Sequence, residues 1–211
     1  MAKLNYLFGK ARGSIDQITF SSWKNIRVAK KKIEKNTSNS ELQKEVRSKF
    51  TTVVDLLKSI NPVIKIGWAK VAKNMTPMNA AMSYHLKNAV TGDYPDYEID
   101  YQKVIISRGN LPGVKDLQIS TITSNEIGLE WTYYDESTTS PDDELSLCVL
   151  NHTKNDLQIN IRDVVRSDAS ITFGLPSHWE QGDSVSIYIF LTSVDNKSVS
   201  TSQSLVNQNL T

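Results

Sequence analysis

The sequence predicts an α+β protein in which a basic N-terminal β-hairpin and helices precede an all-β sandwich. Two short alternating apolar runs precede residue 30, helical periodicity dominates residues 42–90, and strand-like runs without that periodicity fill the last ninety residues. We therefore expect two domains: a basic α+β N-terminal unit at residues 1–110 and a β-sandwich at residues 114–211.

The predicted hairpin occupies a basic part of the chain. Apolar and polar residues alternate over Ile18–Phe20 and Ile26–Val28, whereas Ile15 is one residue out of phase with the first run. Alternation of this kind is typical of half-buried strands. Because a lone hairpin is marginally stable in water, we expect it to lie on a sheet, a helix or another chain.

A long amphipathic helix follows a polar linker. Ser38 with Glu41 fits a capping box, and Pro62 lies just beyond the predicted end of the helix. The apolar positions recur at three- and four-residue steps, which places them on one face: Leu42, Val46, Phe50, Val53, Val54 and Leu57.

Two further helices and a strand region complete the N-terminal unit. Residues 63–73 predict the second helix, and Thr76-Pro77 provides an N-cap and first-turn proline for the third. Gly92 is the expected left-handed terminator of the third helix. Residues 99–106 predict a strand, which Asn110-Leu111-Pro112-Gly113 interrupts.

The C-terminal part predicts seven short strands separated by turn residues. That spacing favours a β-sandwich, and alternating serines near the end suit an edge strand. The predicted strands are Leu117–Thr123, Ile127–Tyr133, Leu145–Leu150, Leu157–Ile161, Ile171–Phe173, Val185–Leu191 and Val199–Leu205.

The sandwich resembles fibronectin type III and related immunoglobulin-like domains. Trp131 lies in the second predicted strand, Leu175 precedes a Gly182-Asp183 turn, and Tyr188 lies in the long sixth strand. The resemblance implies that Trp131 and Tyr188 are core aromatics. It also implies a spacing or binding role, by analogy of fold alone; a generic sandwich is the alternative.

The front part resembles an uncharacterised bacterial family with no assigned function, over about residues 9–110. Similar front ends are associated with phage-derived gene clusters, and the family supplies no catalytic residues. The matching elements are Gly9-Lys10, Ser22-Trp23-Lys24, Lys49-Phe50, Met78–Ala81, Ser83-Tyr84, Leu86–Ala89, Tyr94–Tyr97 and Ser107–Gly109.

The sequence contains few residues in patterns that could form a catalytic or metal-binding site. His85, His152 and His178 are scattered, and the only cysteine, Cys148, lies in an apolar run and is expected to be a small core residue. No spacing suits zinc or a nucleotide-binding loop. The acidic clusters at Asp96–Asp100 and Asp142–Glu144 predict solvated edges. We expect no enzyme activity, no cofactor and no metal.

Charge is divided along the chain. Residues 1–75 carry sixteen basic and five acidic residues, a net charge of +11, and the remaining residues carry −10. The basic segment therefore supplies the candidate contact residues, which we expect to meet a protein partner or nucleic acid, or only to keep the segment soluble. These residues are Lys10, Arg12, Trp23, Lys24, Arg27, Lys30, Lys31, Lys32 and Lys35.

These features predict a structural or adaptor protein that docks into a larger assembly, such as a virion or phage-derived particle. The positive front of one copy would meet the negative back of the next, giving a head-to-tail oligomer. The alternatives are a protein that binds DNA or RNA through residues 3–35, and a sandwich-based adhesin or ligand-binding module. No signal sequence or membrane span is evident, so we expect a cytoplasmic protein, or one carried in an assembly.

Overall fold

The computed structural model describes residues 2–3, 12–23, 26–32 and 39–211. The chain divides into two compact units, Met1–Lys44 and Glu45–Thr211. This division differs from the boundary near residue 110 that the sequence predicts, because the helices after residue 44 share a core with the sandwich.

The first unit contains a four-stranded antiparallel sheet in the order β1-β4-β3-β2. Its strands are β1 (Ala2–Lys3), β2 (Gly13–Ile15), β3 (Ile18–Trp23) and β4 (Ile26–Lys31). The predicted β3–β4 hairpin is thus present, with one further strand on each side of it.

The tight turn between β2 and β3 corrects the phase predicted for Ile15. Asp16 takes a φ of 48°, which a two-residue hairpin turn requires. The turn brings Ile15 directly opposite Ile18, and directly opposed residues share a face of the sheet. Ile15 therefore lies on the same face as Ile18 because the chain reverses between them.

Three helices follow, and their ends obey local capping chemistry. They are α1 (Glu41–Ser59), α2 (Asn61–Gly67) and α3 (Pro77–Asn88). At the start of α1, Ser40 Oγ accepts the Gln43 N–H at 3.4 Å, while the predicted cap Ser38 lies outside the described residues. Thr76 caps α3 by accepting the Asn79 N–H at 3.1 Å, as predicted.

The segment between α3 and the sandwich differs from its prediction. Two-residue strands β5 (Val90–Thr91) and β6 (Glu98–Ile99) pair with each other, and a 3₁₀ turn occupies Tyr101–Lys103. Gly92, with φ 78°, follows β5 and does not end α3. The expected strand over residues 99–106 is therefore wrong beyond Ile99.

The sandwich has two antiparallel sheets, in the orders β10-β9-β12-β13 and β11-β8-β7. All seven predicted strands are present, but β10 ends four residues later and β13 begins four residues later than expected. The strands are β7 (Lys115–Ile122), β8 (Glu126–Thr132), β9 (Glu144–Asn151), β10 (Asp156–Val165), β11 (Ser170–Gly174), β12 (Ser184–Thr192) and β13 (Gln203–Asn209).

The four-stranded sheet of the sandwich, β10-β9-β12-β13, is covered on both faces. Leu147 and Ile189 pack between the two sheets with Trp131, whereas Cys148 and Tyr188 face the opposite way and pack with helical residues. Side chains alternate between the faces of a strand, which explains why β9 and β12 are almost continuously apolar. The second unit is thus layered as helices, four-stranded sheet and three-stranded sheet.

Candidate docking surfaces and pocket

The N-terminal sheet presents its side chains to solvent on both faces. None of its residues with described side chains is buried, although Ile15, Ile18 and Ile26 are large and apolar. A sheet that exposes apolar side chains on both faces buries little apolar surface within its own chain. The described residues therefore leave these apolar side chains of the sheet exposed.

The register of the sheet divides its basic residues between the two faces. Arg27 and Lys31 alternate with Lys30 along β4, so the first two share one face with Phe20 and Ile18, and Lys30 shares the other with Thr19. Both Lys30 and Lys31 are exposed.

The remaining candidate contact residues lie around this sheet. Arg12 and Lys32 are exposed just outside the strands, and the Lys32 N–H donates to the Gln17 carbonyl at 2.6 Å. Trp23 ends β3 opposite Ile26. Three of the predicted residues, Lys10, Lys24 and Lys35, lie outside the described residues.

Helix α1 carries one apolar stripe with two different environments. Val53 and Leu57 are completely buried in the helical core, whereas Leu42, Val46 and Phe50 are 74%, 68% and 49% exposed. At 100° per residue all five positions fall within one 80° sector. The N-terminal half of the stripe, which we call the uncovered stripe (Leu42, Val46 and Phe50), therefore continues the core face and is left exposed by the residues that the structure describes.

The second unit has an open pocket of about 560 Å³. It is formed by the C-terminal half of α1, the Tyr97–Tyr101 segment and the β9–β10 hairpin. Its walls include Leu56, Leu150 and Leu157, and the rings of Tyr101 and His152 lie 3.9 Å apart between centroids. No local sequence signal reveals this pocket, because its walls come from segments up to about a hundred residues apart.

Two ionisable groups that attract attention in the sequence, Cys148 and His85, are structural. Cys148 is buried, which raises its pKa to about 12. His85 is buried in α3, where its Nδ1–H donates to the Ala81 carbonyl at 2.8 Å and its Nε2 accepts the Ile105 N–H at 3.3 Å. Desolvation lowers the pKa of His85 despite the Ala81 hydrogen bond, which acts in the opposite direction.

The acidic cluster at Asp142–Glu144 is not a solvated edge. Asp143 is buried and accepts from Arg166 Nε at 3.1 Å, and Arg166 also donates to the carbonyls of Gly113 and Pro112 at 2.8 and 2.7 Å. The Arg166 carbonyl accepts the Trp131 indole N–H at 2.9 Å. This network ties the start of the sandwich to its core, and nothing local in the sequence distinguishes Arg166 from a surface arginine.

The family model described as "Family of unknown function (DUF6266)" matches residues 10–206. The chain belongs to this family. The match extends through the sandwich, well beyond the residue 9–110 resemblance seen in the sequence. No curated protein matches the chain.

Two solved structures are similar to about half of the chain. One, titled "Myokine structure", is 8% identical with a TM-score of 0.36, and covers 48% of this chain and 100% of that one. The other, the fn3 domain of human collagen alpha-1(XX) chain, is 10% identical with a TM-score of 0.35, and covers 47% of this chain and 85% of that one.

Two kinds of feature are missing from the described residues. They contain no helix that is both long and apolar enough to cross a membrane. They also contain no group of three or more His, Cys, Asp or Glu side chains arranged to hold a metal ion.

Proposed function

We propose that the protein is a non-enzymatic structural or adaptor protein that docks into a larger assembly through its basic N-terminal sheet. The observation that carries this proposal is the sheet itself, which has apolar side chains on both faces and no buried one among those described. Covering those side chains would supply a favourable free energy that the isolated chain lacks.

The uncovered stripe of α1 supports the same proposal independently. Leu42, Val46 and Phe50 extend a core face into solvent over about 12 Å of helix. Exposed contiguous apolar surface on an otherwise well-packed protein marks an interaction site more often than isolated apolar residues do. A protein surface with an apolar centre and an acidic rim would fit both the N-terminal sheet and the uncovered stripe. In this proposal, the larger assembly is a virion or phage-derived particle.

A change in native mass tests the proposal. We expect the full chain to form species larger than a monomer, measured by light scattering at several protein concentrations and with nuclease treatment. Ile18→Asp places a charge on the apolar sheet face and is expected to shift the mass to that of a monomer. Ile161→Asp, which changes an exposed isoleucine of the second unit, is the matched control.

Two outcomes would argue against docking by self-assembly through the sheet. One is a wild-type monomer at every concentration in the presence and absence of nuclease. The other is an oligomer that Ile18→Asp and Ile161→Asp affect equally, because the sheet would then have no special part in it.

Nucleic-acid binding is the second candidate function, favoured by the cluster of Arg27, Lys30 and Lys31 on β4 with Lys32 directly after it. We rank it lower because the register puts Arg27 and Lys31 on the face opposite Lys30, so no single face carries the whole cluster. Salt-sensitive retardation of labelled DNA or RNA, lost in Lys30→Glu/Lys31→Glu/Lys32→Glu, would favour this function. The ligand-binding module is favoured only by the pocket of the second unit.

A further inference from the structure

The pocket of the second unit has an unusual charge composition. Asp55, Glu98 and Asp156 contribute carboxylates to its lining, and no lysine or arginine is among the described residues that line it. Lys58 approaches Asp55 at 4.0 Å, but both side chains are more than two-thirds exposed, and such pairs interact weakly. The pocket therefore keeps most of its negative charge.

Hydrogen bonding and burial maintain that charge at neutral pH. Asp156 accepts from the Trp179 indole N–H at 2.8 Å and from His178 Nε2 at 2.8 Å. The indole hydrogen bond is the largest cause that lowers the pKa of Asp156, so this carboxylate is ionised. Burial lowers the pKa of His152, which keeps the imidazole on the pocket wall neutral.

The walls suit a cation carried on an apolar stem. Leu56, Leu150 and Leu157 provide aliphatic surface, and the adjacent Tyr101 and His152 rings, whose planes are tilted by 44°, provide an aromatic one. A lysine side chain buries its methylene groups on such surfaces and keeps its ammonium group among carboxylates or over an aromatic face. The volume of about 560 Å³ exceeds what one lysine side chain fills, so the pocket has room for a neighbouring side chain as well.

We propose that this pocket receives a lysine side chain from the C-terminal end of β4 in a second copy of the chain. Lys30, Lys31 and Lys32 are exposed. Ten basic and three acidic residues give Met1–Lys44 a net charge of +7, and the rest of the chain carries −6. The proposal rests on the proposed docking function, and it names both the partner and the receiving site. The contact joins different surfaces of two copies, so it propagates head to tail.

A peptide titration tests the receiving site separately from self-assembly. A fluorescent peptide with the sequence of residues 26–35 is added to the unlabelled full chain, and its anisotropy is followed at low and high salt. We expect saturable binding that weakens with salt, and a loss of affinity of roughly three- to thirtyfold in Asp55→Asn/Glu98→Gln. Glu130 is an exposed acid on β8 that does not line the pocket, so Glu130→Gln should bind the peptide as the wild type does.

The result is decisive in either direction. Absence of peptide binding, or equal affinity in the pocket variant and the Glu130→Gln control, overturns the inference. A free diamine such as putrescine that binds while the peptide does not would identify a small-molecule cation site and would also overturn it.

Mixing two variants distinguishes this inference from the proposed function. Lys30→Glu/Lys31→Glu/Lys32→Glu and Asp55→Lys/Glu98→Lys should each fail to self-associate, and their mixture should regain a higher native mass. If the wild type self-associates and the pocket variant does so equally well, the pocket inference fails and docking stands. If the wild type is monomeric yet binds the peptide at the pocket, self-assembly fails and the receiving site stands.

Discussion

Two valines on the same stripe of α1 provide a direct test of where the core ends. Val46 is 68% exposed and Val53 is completely buried, although the positions lie two turns apart on one helix face. Replacing either by alanine removes the same two methyl groups and gives the same gain in helix propensity, roughly half a kcal/mol. The difference between the two variants therefore reports burial alone.

The expected difference follows from the missing methyl groups. At about 0.8 kcal/mol for each, transfer accounts for about 1.6 kcal/mol, and a residual cavity at Val53 adds up to about 1 kcal/mol more. Val53→Ala should therefore be less stable than Val46→Ala by about 2–3 kcal/mol. For a chain of this size the midpoint temperatures should differ by roughly 4–12 °C.

Urea unfolding followed by circular dichroism measures this difference at low protein concentration. Val46→Ala is expected to match or slightly exceed the stability of the wild type there. At higher concentrations, where copies associate, Val46→Ala should become less stable than the wild type, because association stabilises the wild type by mass action. Equal destabilisation by both substitutions at the lowest concentration would refute the argument, since it would mean that the isolated chain covers Val46.

Three further predictions concern the core. Asp143→Ala should lower the free energy of unfolding by about 3–5 kcal/mol because it leaves the Arg166 charge buried and unpaired, and Asp143→Ala/Arg166→Met should recover part of that loss in the same urea assay. Because the pKa of His85 is lowered in the folded chain, the unfolded chain binds more protons than the folded chain once pH falls below about 6.5. The free energy of unfolding should therefore decrease as pH falls through that range. His85→Gln should flatten this pH dependence, measured by urea unfolding. Cys148, with a pKa raised to about 12, should react with a thiol reagent only after unfolding, and fast labelling of the native chain, measured by mass spectrometry, would contradict this.

The sequence predicted best those elements that local signals define. Turn residues and alternating apolar positions located the sandwich strands, and Thr76-Pro77 located α3. The strand β13 begins later than predicted because distant contacts hold the preceding residues. The Val199 carbonyl accepts the Leu111 N–H at 3.0 Å, and the Ser200 N–H donates to the Leu191 carbonyl at 2.8 Å.

The sequence could not predict what covers each apolar surface. The uninterrupted apolar runs of β9 and β12 indicate burial on both faces, but they do not identify the helices as the second cover. Equally, Val46 and Val53 have the same position on the helical stripe, and only the tertiary structure separates the buried valine from the exposed one. The pocket has the same origin, since Asp55, Glu98 and Asp156 meet there from three separate segments.

The division of charge along the chain persists when it is counted by compact unit, with the boundary at Lys44. By sequence alone the positive part extends to residue 75, yet residues 45–75 belong to the compact unit that contains the sandwich. After their six basic and two acidic residues are assigned to that unit, the two units still carry +7 and −6. Opposite charges on two compact units favour association between copies more directly than a gradient along one unit, because each can approach a complementary unit of a neighbour. The proposed entry of a lysine from the end of β4 into the acidic pocket is the local form of that attraction. High salt should weaken this contact before it weakens the apolar contacts of the uncovered stripe.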